Sequence, residues 1–259
     1  PAVTSGAVVV RAITPQVSIS KNVVETDVDA GDTVEVQLTI TNSGLATAFD
    51  LEFQDALSAF GANDATVVPL QVPANFTLTA SNGTAYLRAT DGTVPPQSSL
   101  EPAESLTVRF QVNMGDQVPP LSVLTNRATV TLADTISGTN AYGIQRDAAG
   151  AQAQDTVNSG TIGLLKELAG TGETGPSDST NDLVQIGEVV TYRLTIGLPE
   201  GTVTNLQVVD SLPAGLGYVH GSVAVDSSGL NGSLPALVVS PSGSGVAASG
   251  QDMTFAWTG

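Results

Sequence analysis

The sequence predicts an all-β protein, because apolar and polar residues alternate along most of its length. The alternation is clearest in TVEVQLTITNSG (33–44), SLTVRFQVNM (105–114) and VVTYRLTIG (189–197). A period of two is typical of strands with one buried face. Gly, Pro, Asn and Asp cluster between these segments at the spacing of turns. No segment has the apolar stripe of an amphipathic helix, and we expect the Ala-rich DAAGAQAQD (147–155) to be a loop or an irregular strand.

The chain contains one sequence unit twice. VSISK, which starts at Val17, matches IGLLK, which starts at Ile162, and similar segments follow each of them in the same order. The turn Gly31-Asp32 aligns with Gly187-Glu188. DLEFQDALSAFG aligns with NLQVVDSLPAGLG, which places Asp55 opposite Asp210. The second copy carries an insertion, GTGETGPSDSTND, between its lysine and its turn. Such self-similarity predicts two related structural units in tandem.

The repeated pattern K…GDTVxYxLTITNSG…DxLPxGL…TNxATVT resembles the DUF11-type repeats, relatives of the isopeptide-forming fimbrial and adhesin domains of bacterial surface proteins. The first copy carries TVEVQLTITNSG, FQDALSAFG and LTNRATVTL, and the second carries VTYRLTI and VVDSLPAGLGYVHGS. The second copy has no visible TNxATVT strand. The resemblance covers about residues 15–135 and 160–225. It implies tandem Ig-like β-sandwich domains, export, and a structural or adhesive role.

This resemblance divides the chain into three parts. Residues 1–14 form a linker or a strand from a preceding domain, since GAVVVRAIT (6–14) reads as a strand ahead of the first repeat. Residues 15–158 form the first sandwich, and residues 161–259 form a second sandwich that looks truncated. We expect the sequence to be a piece of a longer exported chain. One hypothesis is that the leading strand of one molecule completes the trailing domain of another copy in a polymer.

Composition excludes several classes of function. The formal net charge is −17, with 8 Lys or Arg residues against 25 Asp or Glu residues, so nucleic acid and anionic membrane surfaces would be repelled. No apolar run approaches the roughly 18 residues of a membrane span. The chain has no cysteine, which rules out disulfides, thiolate catalysis and cysteine-based zinc sites. No motif of a hydrolase, a phosphate loop or an acid pair is present, so we predict that the protein is not an enzyme.

The chain has only two lysines, and they occupy the same position of the two copies: Lys21 and Lys166. The resemblance implies that a lysine on the first strand attacks an Asn carboxamide on the last strand, assisted by a buried acid. In the first copy the candidates for this isopeptide bond are Lys21, Asp55 and Asn126. In the second copy Lys166 and Asp210 match, but no Asn partner is visible.

The chemistry explains these residue types. An ammonium is not a nucleophile, so burial must lower the pKa of the lysine. Burial raises the pKa of a carboxyl, which can then donate a hydrogen bond to the carbonyl of the Asn amide. The alternative is structural. A strand-end lysine can lay its stem on apolar surface or pair with the acid, and Asp and Asn commonly cap turns.

An acidic segment, ETDVDAGD, holds the candidates for calcium binding, Asp27, Asp29 and Asp32. The spacing begins like that of an EF-hand, but the twelfth position counted from Asp27 is Leu38 rather than the required Glu. A surface turn and a calcium site at a domain boundary are both compatible with this pattern.

Together these features predict a non-catalytic building block of a bacterial cell-surface or extracellular stalk, filament or matrix. Its partners would be neighbouring domains of the same chain or copies of itself, with no nucleic acid and no direct insertion into a membrane. The alternative is an adhesin module that binds carbohydrate or protein through long loops. The segment 60–99, which looks too long for a hairpin connection, would then carry the site.

Overall fold

The protein is almost entirely β-structure, as predicted. The computed structural model describes residues 6–61, 67–74, 76–89, 99–134, 150–172, 184–242, 245–246 and 250–257. Within these ranges the one helical element is a single 3-10 turn, Leu57–Phe60, and every other regular element is a strand. By their contacts the residues divide into two compact units, Pro1–Gly201 and Thr202–Gly259.

The first unit contains a two-layered β-sandwich. Its strands are β1 (Val17–Val23), β2 (Asp27–Val28), β3 (Thr33–Asn42), β4 (Phe49–Ala56), β5 (Val67–Gln71), β6 (Phe76–Ser81), β7 (Thr84–Ala89), β8 (Ser105–Asn113), β9 (Val123–Asp134) and β10 (Gln152–Ser159). One sheet has the strand order β1-β3-β8-β5 and the other has β2-β10-β9-β4-β7-β6. Pairing is antiparallel throughout except between β2 and β10. Two packed sheets, in which strands that are not consecutive in the sequence lie side by side, make this an Ig-like sandwich.

The core of the sandwich is formed by the inward-facing residues of both sheets. Along β3, buried residues alternate with partly exposed ones through all ten positions, and β8 does the same over most of its length. Phe53 from one sheet and Phe110 from the other are completely buried in one continuous apolar cluster. The alternation in the sequence therefore selects the face of each strand that packs against the opposite sheet.

A buried asparagine fixes the end of β3. The Asn42 side chain is fully buried, its Oδ1 accepts hydrogen bonds from Gln16 N and Gly44 N, and its Nδ2 donates to Ala46 O and Leu100 O. All of its polar capacity is used inside the protein, so the chain turns away from β3 without leaving backbone groups unsatisfied.

The structure corrects three expectations from the sequence. The segment 60–99 is not one long loop, because its described part contains β5, β6 and β7. The Ala-rich segment ends in a regular strand, β10, since its second half pairs with β9. Residues 6–14 contain no strand: Thr14 O accepts from Leu45 N, but Val8, Val9 and Val10 are exposed and pair with no sheet edge among the described residues.

The first unit also contains a two-stranded antiparallel sheet, β11 (Gly163–Thr171) with β12 (Val190–Gly197). The sequence assigned these strands to the second sandwich. The segment after β12 lies close to the first sandwich: a Cβ on Gly160 would lie 2.7 Å from Pro199 Cβ, and a Cβ on Gly201 would lie 2.8 Å from Ala30 Cβ. The contacts thus divide the chain later than the boundary predicted at residues 158–161.

The second unit has two small sheets. Its strands are β13 (Leu206–Leu212), β14 (Gly217–Tyr218), β15 (Leu237–Ser240), β16 (Gly245–Val246) and β17 (Gln251–Trp257). The sheet orders are β13-β17-β15 and β14-β16. Val208, Met253 and Trp257 are its buried apolar residues within the described part.

Strand registers agree with the predicted repeat. Lys21 pairs with Leu38, and Lys166 pairs with Leu194, which is the aligned residue of the second copy. The turn that follows is also the same. Asp32 N donates to Asp29 O and Glu188 N donates to Gln185 O, with Gly31 and Gly187 both at positive φ. The repeat in the sequence is therefore a repeat of local structure.

We expect Phe110→Ala to lower the free energy of unfolding by about 3–5 kcal/mol, because it leaves a cavity between the two sheets. The matched control is Val68→Ala on the neighbouring strand β5, where the side chain is 48% exposed and the loss should stay below about 1 kcal/mol. Chemical denaturation of both variants measures the difference. Equal effects at the two positions would contradict this description of the core.

Candidate functional site

Three polar residues occupy inward-facing positions of three different strands. On β1 the residues Val17, Ile19, Lys21 and Val23 face inward and their neighbours face solvent. Lys21 thus lies on the inward face of β1, where the other residues are apolar. Its side chain is completely buried.

Asp55 and Asn126 likewise occupy inward-facing positions of their strands. On β4, Asp55 continues the inward series of Leu51 and Phe53, and on β9, Asn126 lies between the inward-facing Leu124 and Ala128. Neither side chain is exposed to solvent. β4 and β9 are neighbours in one sheet, whereas β1 belongs to the other. The three residues therefore meet inside the sandwich, where the two sheets face each other.

The Asp55 carboxylate joins the other two side chains. Lys21 Nζ donates a hydrogen bond to Asp55 Oδ2, and Asn126 Nδ2 donates to Asp55 Oδ1 at 2.7 Å. Each oxygen of one carboxylate thus holds one partner. The amine and the carboxamide, which the sequence predicted as nucleophile and electrophile, are bound to the same group from opposite sheets.

Asn126 has a defined orientation in this site. Its Nδ2 also donates to the backbone carbonyl of Ala56 at 2.6 Å, and a reversed amide would set two carbonyl oxygens against each other. The amide nitrogen, rather than the carbonyl oxygen, therefore lies on Asp55. Its Oδ1 is buried and has no hydrogen-bond partner in the described part of the chain. An unsatisfied buried carbonyl is unfavourable in the resting state.

Burial favours the uncharged form of both ionisable groups. It raises the pKa of the Asp55 carboxyl above its ordinary value, against the charge and hydrogen bond of Lys21 and the hydrogen bond of Asn126. Burial likewise lowers the pKa of the Lys21 ammonium, against the charge and hydrogen bond of Asp55 and the charge of Asp155. These opposite shifts make proton transfer from Lys21 to Asp55 easier than it would be in water.

Sequence reasoning missed a fourth residue at the site. Asp155 lies on β10 directly opposite Asn126 of β9, and its Oδ2 accepts a hydrogen bond from Val23 N at 2.7 Å. It was missed because residues 147–155 looked like a loop. The signal that could have found it is the alternation of β10, in which Ala153 and Asp155 precede the buried Val157 on one face.

The second-copy candidates, Lys166 and Asp210, belong to different units. Lys166 lies on β11 with its Nζ 4.3 Å from the centre of the Tyr192 ring, a cation–π contact. Asp210 lies on β13, where it pairs with Met253 of β17. Asp55 differs from it, because Asp55 is buried on a central strand and pairs with Ala85 of β7 and Ala128 of β9, whereas Asp210 is half-buried on the edge strand of its sheet.

The predicted calcium candidates lie in and beside the turn after β2. Thr26 Oγ1 donates to Asp27 Oδ2, and Asp29 N donates to Asp32 Oδ2 at 2.8 Å. The aligned turn of the second copy repeats the latter bond, from Gln185 N to Glu188 Oε2. The acid at this position is thus explained by the turn itself.

No group of three or more His, Asp or Glu side chains in the described ranges is placed to hold a metal ion. Asp29 Oδ1 is buried without a hydrogen-bond partner in those ranges, and calcium binding here stays a prediction.

None of the described residues forms a helix long and apolar enough to cross a membrane.

Comparison with known proteins gives no family assignment. No family model matches the chain, and no curated protein matches it. The predicted resemblance to DUF11-type repeats therefore has no family match behind it.

Solved structures similar to this chain include three domains with low sequence identity. The CARDB domain of a Pyrococcus furiosus protein is 14% identical with a TM-score of 0.32, over 56% of this chain and 95% of that one. The seventh ScaB type I cohesin of Pseudobacteroides cellulosolvens is 13% identical with a TM-score of 0.36, over 63% and 98%. The pilus backbone RrgB of Streptococcus pneumoniae is 14% identical with a TM-score of 0.34, over 49% and 33%. Because these scores are low, the fold assignment rests on the strand order and core of this chain.

We expect Lys21→Met to make the stability of the protein depend on pH through Asp55, which is then buried without a cation. Burial raises the pKa of Asp55, so the folded state binds more protons than the unfolded state, whose carboxyl titrates near 3.8. The contribution of Asp55 to the free energy of unfolding should be fully present below that pH. It should fall by about 1.4 kcal/mol per unit of pKa difference as pH rises through the folded pKa.

The matched control is Lys21→Met/Asp55→Asn, which carries the same loss of the lysine but cannot titrate at this position. Denaturation of both variants across a pH series gives the difference. A constant difference at all pH values would show that Asp55 is not the buried carboxyl described here.

Proposed function

We propose that this protein is a structural module of an extracellular or cell-surface bacterial protein, closed by an isopeptide bond between Lys21 Nζ and Asn126 Cγ. The observation that carries the proposal is the shared Asp55 carboxylate, which binds the amine with one oxygen and the carboxamide with the other. A purely structural ion pair needs the lysine and the acid but gives no reason for a buried amide with one orphaned oxygen.

The reaction balances with the groups present. Lys21 transfers one proton to Asp55, and the neutral Nζ attacks Asn126 Cγ. The Nζ–Cγ bond forms and the Cγ–Nδ2 bond breaks. Asp55 gives the proton that it received from Lys21 to the departing Nδ2. It then takes a second proton from Nζ and transfers that proton to Nδ2 as well. An ammonium ion leaves, an uncharged amide remains, and Asp55 ends as the carboxylate with which it began.

The site favours these steps for physical reasons. Burial of both groups lowers the cost of the first proton transfer, since a neutral amine and a neutral acid suit a dry interior. The Asp55 oxygen 2.7 Å from Nδ2 is placed to protonate the leaving nitrogen. Packing of the two sheets against each other holds the reactants together, so proximity replaces an external enzyme.

The bond would suit a mechanical role. β1 and β9 belong to opposite sheets of the sandwich, so a covalent link between them prevents the chain from Lys21 to Asn126 from being drawn out under tension. The chain has no cysteine, and an amide is a covalent link that it can form without disulfides. Neighbouring domains of the same chain or further copies are the partners that such a module would have in a stalk or filament.

We expect the folded chain of residues 1–259 to have an intact mass lower than its theoretical mass by one ammonia. Lys21→Met and Asn126→Ala should each show their full theoretical mass, because each lacks one reactant. Asn22→Ala is the matched control, since it changes the exposed neighbour of Lys21 on the same strand and should keep the loss. A full theoretical mass for the folded wild-type chain would refute the bond and leave a buried ion pair.

A further inference from the structure

A second carboxylate approaches the buried site from β10. Asp155 lies directly opposite Asn126 in the β9–β10 pair, so both side chains point to the same face of the sheet, towards β1. Asp155 Oδ2 accepts a hydrogen bond from Val23 N at 2.7 Å, and its Oδ1 accepts one from Thr156 N at 2.9 Å. The first of these bonds links the two sheets of the sandwich.

The hydrogen bond from Val23 uses a backbone group at a sheet edge. β1 is the outer strand of its sheet, and Val24 N, directly after β1, donates to Glu35 O of the neighbouring strand β3. Neighbouring N–H groups along a strand point to opposite sides. Because Val24 N points towards β3, Val23 N points away from β3, outward from the sheet. Asp155 therefore holds the edge of β1, two residues from Lys21 on the same face of the strand.

Asp155 also acts on Lys21 by its charge. The groups that face Lys21 are Asp55 from β4, Asp155 from β10, the neutral Asn126 from β9 and the apolar Leu38 from β3. The Asp155 carboxylate favours the ammonium form of Lys21, whereas bond formation needs the neutral amine. Its two effects on the reaction therefore have opposite signs.

We propose that Asp155 is a positioning residue for the cross-linking reaction: it holds β1 against β10 in the reactive register, and its negative charge slows the loss of the proton from Lys21. This inference rests on the proposed function and adds to it a residue that touches neither reacting atom. The charge sets the pH range in which the bond forms, and the hydrogen bond sets whether the reactants meet.

Two substitutions separate these effects. Asp155→Asn retains an oxygen that accepts from Val23 N but removes the charge. Asp155→Ala removes both. The matched control is Asp116→Asn, which removes one charge from an exposed residue of the turn between β8 and β9. Each full chain is purified unfolded in guanidinium, refolded by dilution at a series of pH values, and sampled over time for loss of ammonia by intact mass.

We expect Asp155→Asn to form the bond about two- to fivefold faster than wild type, the factor expected for one partly exposed charge pair. Its rate profile should shift to lower pH. Asp155→Ala should react more slowly than Asp155→Asn at every pH, and Asp116→Asn should match wild type. An Asp155→Asn variant with the rate and profile of wild type, or one as slow as Asp155→Ala, would overturn the inference.

A second measurement does not depend on the bond. In an Asn126→Ala background, which cannot cross-link, NMR of labelled lysine follows the titration of Lys21, and the chain has only one other lysine, Lys166. Asp155→Asn should move the Lys21 titration to lower pH. An unmoved Lys21 would refute the role of the charge. Absence of ammonia loss in wild type, with a shifted Lys21 titration, would instead locate the failure in the proposed function.

Discussion

The buried contact between Lys21 and Asp55 is the constraint around which the first sandwich is arranged. It joins an edge strand of one sheet to a central strand of the other, through side chains that are both fully buried. A buried ion pair is a weak source of stability, because desolvation of the two charges offsets their attraction, but loss of one partner is costly. The pair therefore fixes the relative position of the sheets more than it stabilises them.

Everything else near the site depends on that placement. Asn126 satisfies the second oxygen of Asp55, and Asp155 satisfies an edge N–H of β1 two residues from Lys21. Apolar residues such as Phe53 surround the polar groups and exclude water. Exclusion of water shifts the pKa values of Lys21 and Asp55 towards their uncharged forms. The apolar core that folds the domain therefore also favours the proton transfer between them.

The alternation of apolar residues was enough to predict the all-β fold, and the repeat was enough to align Lys21 with Lys166 and Asp55 with Asp210. The candidate triad Lys21, Asp55 and Asn126 could be named because the resemblance to isopeptide-forming domains implies a lysine on the first strand, a buried acid and an asparagine on the last strand. Other features could not be predicted. The strands β5 to β7 lie in a segment that Pro and Gly residues interrupt, and Asp155 lies on β10, whose first half belongs to the Ala-rich segment 147–155. The amide orientation of Asn126 depends on the carbonyl of Ala56, which only the pairing of β4 with β9 brings near.

The most direct test of this account is peptide mapping of the folded wild-type chain by tandem mass spectrometry after proteolysis. If the bond forms, the digest contains a branched peptide in which the segment with Lys21 is joined to the segment with Asn126. Its mass is lower than the sum of the two segments by one ammonia, and its fragment ions place the link at those two side chains. Separate linear peptides carrying an unmodified Lys21 and an unmodified Asn126 would contradict it.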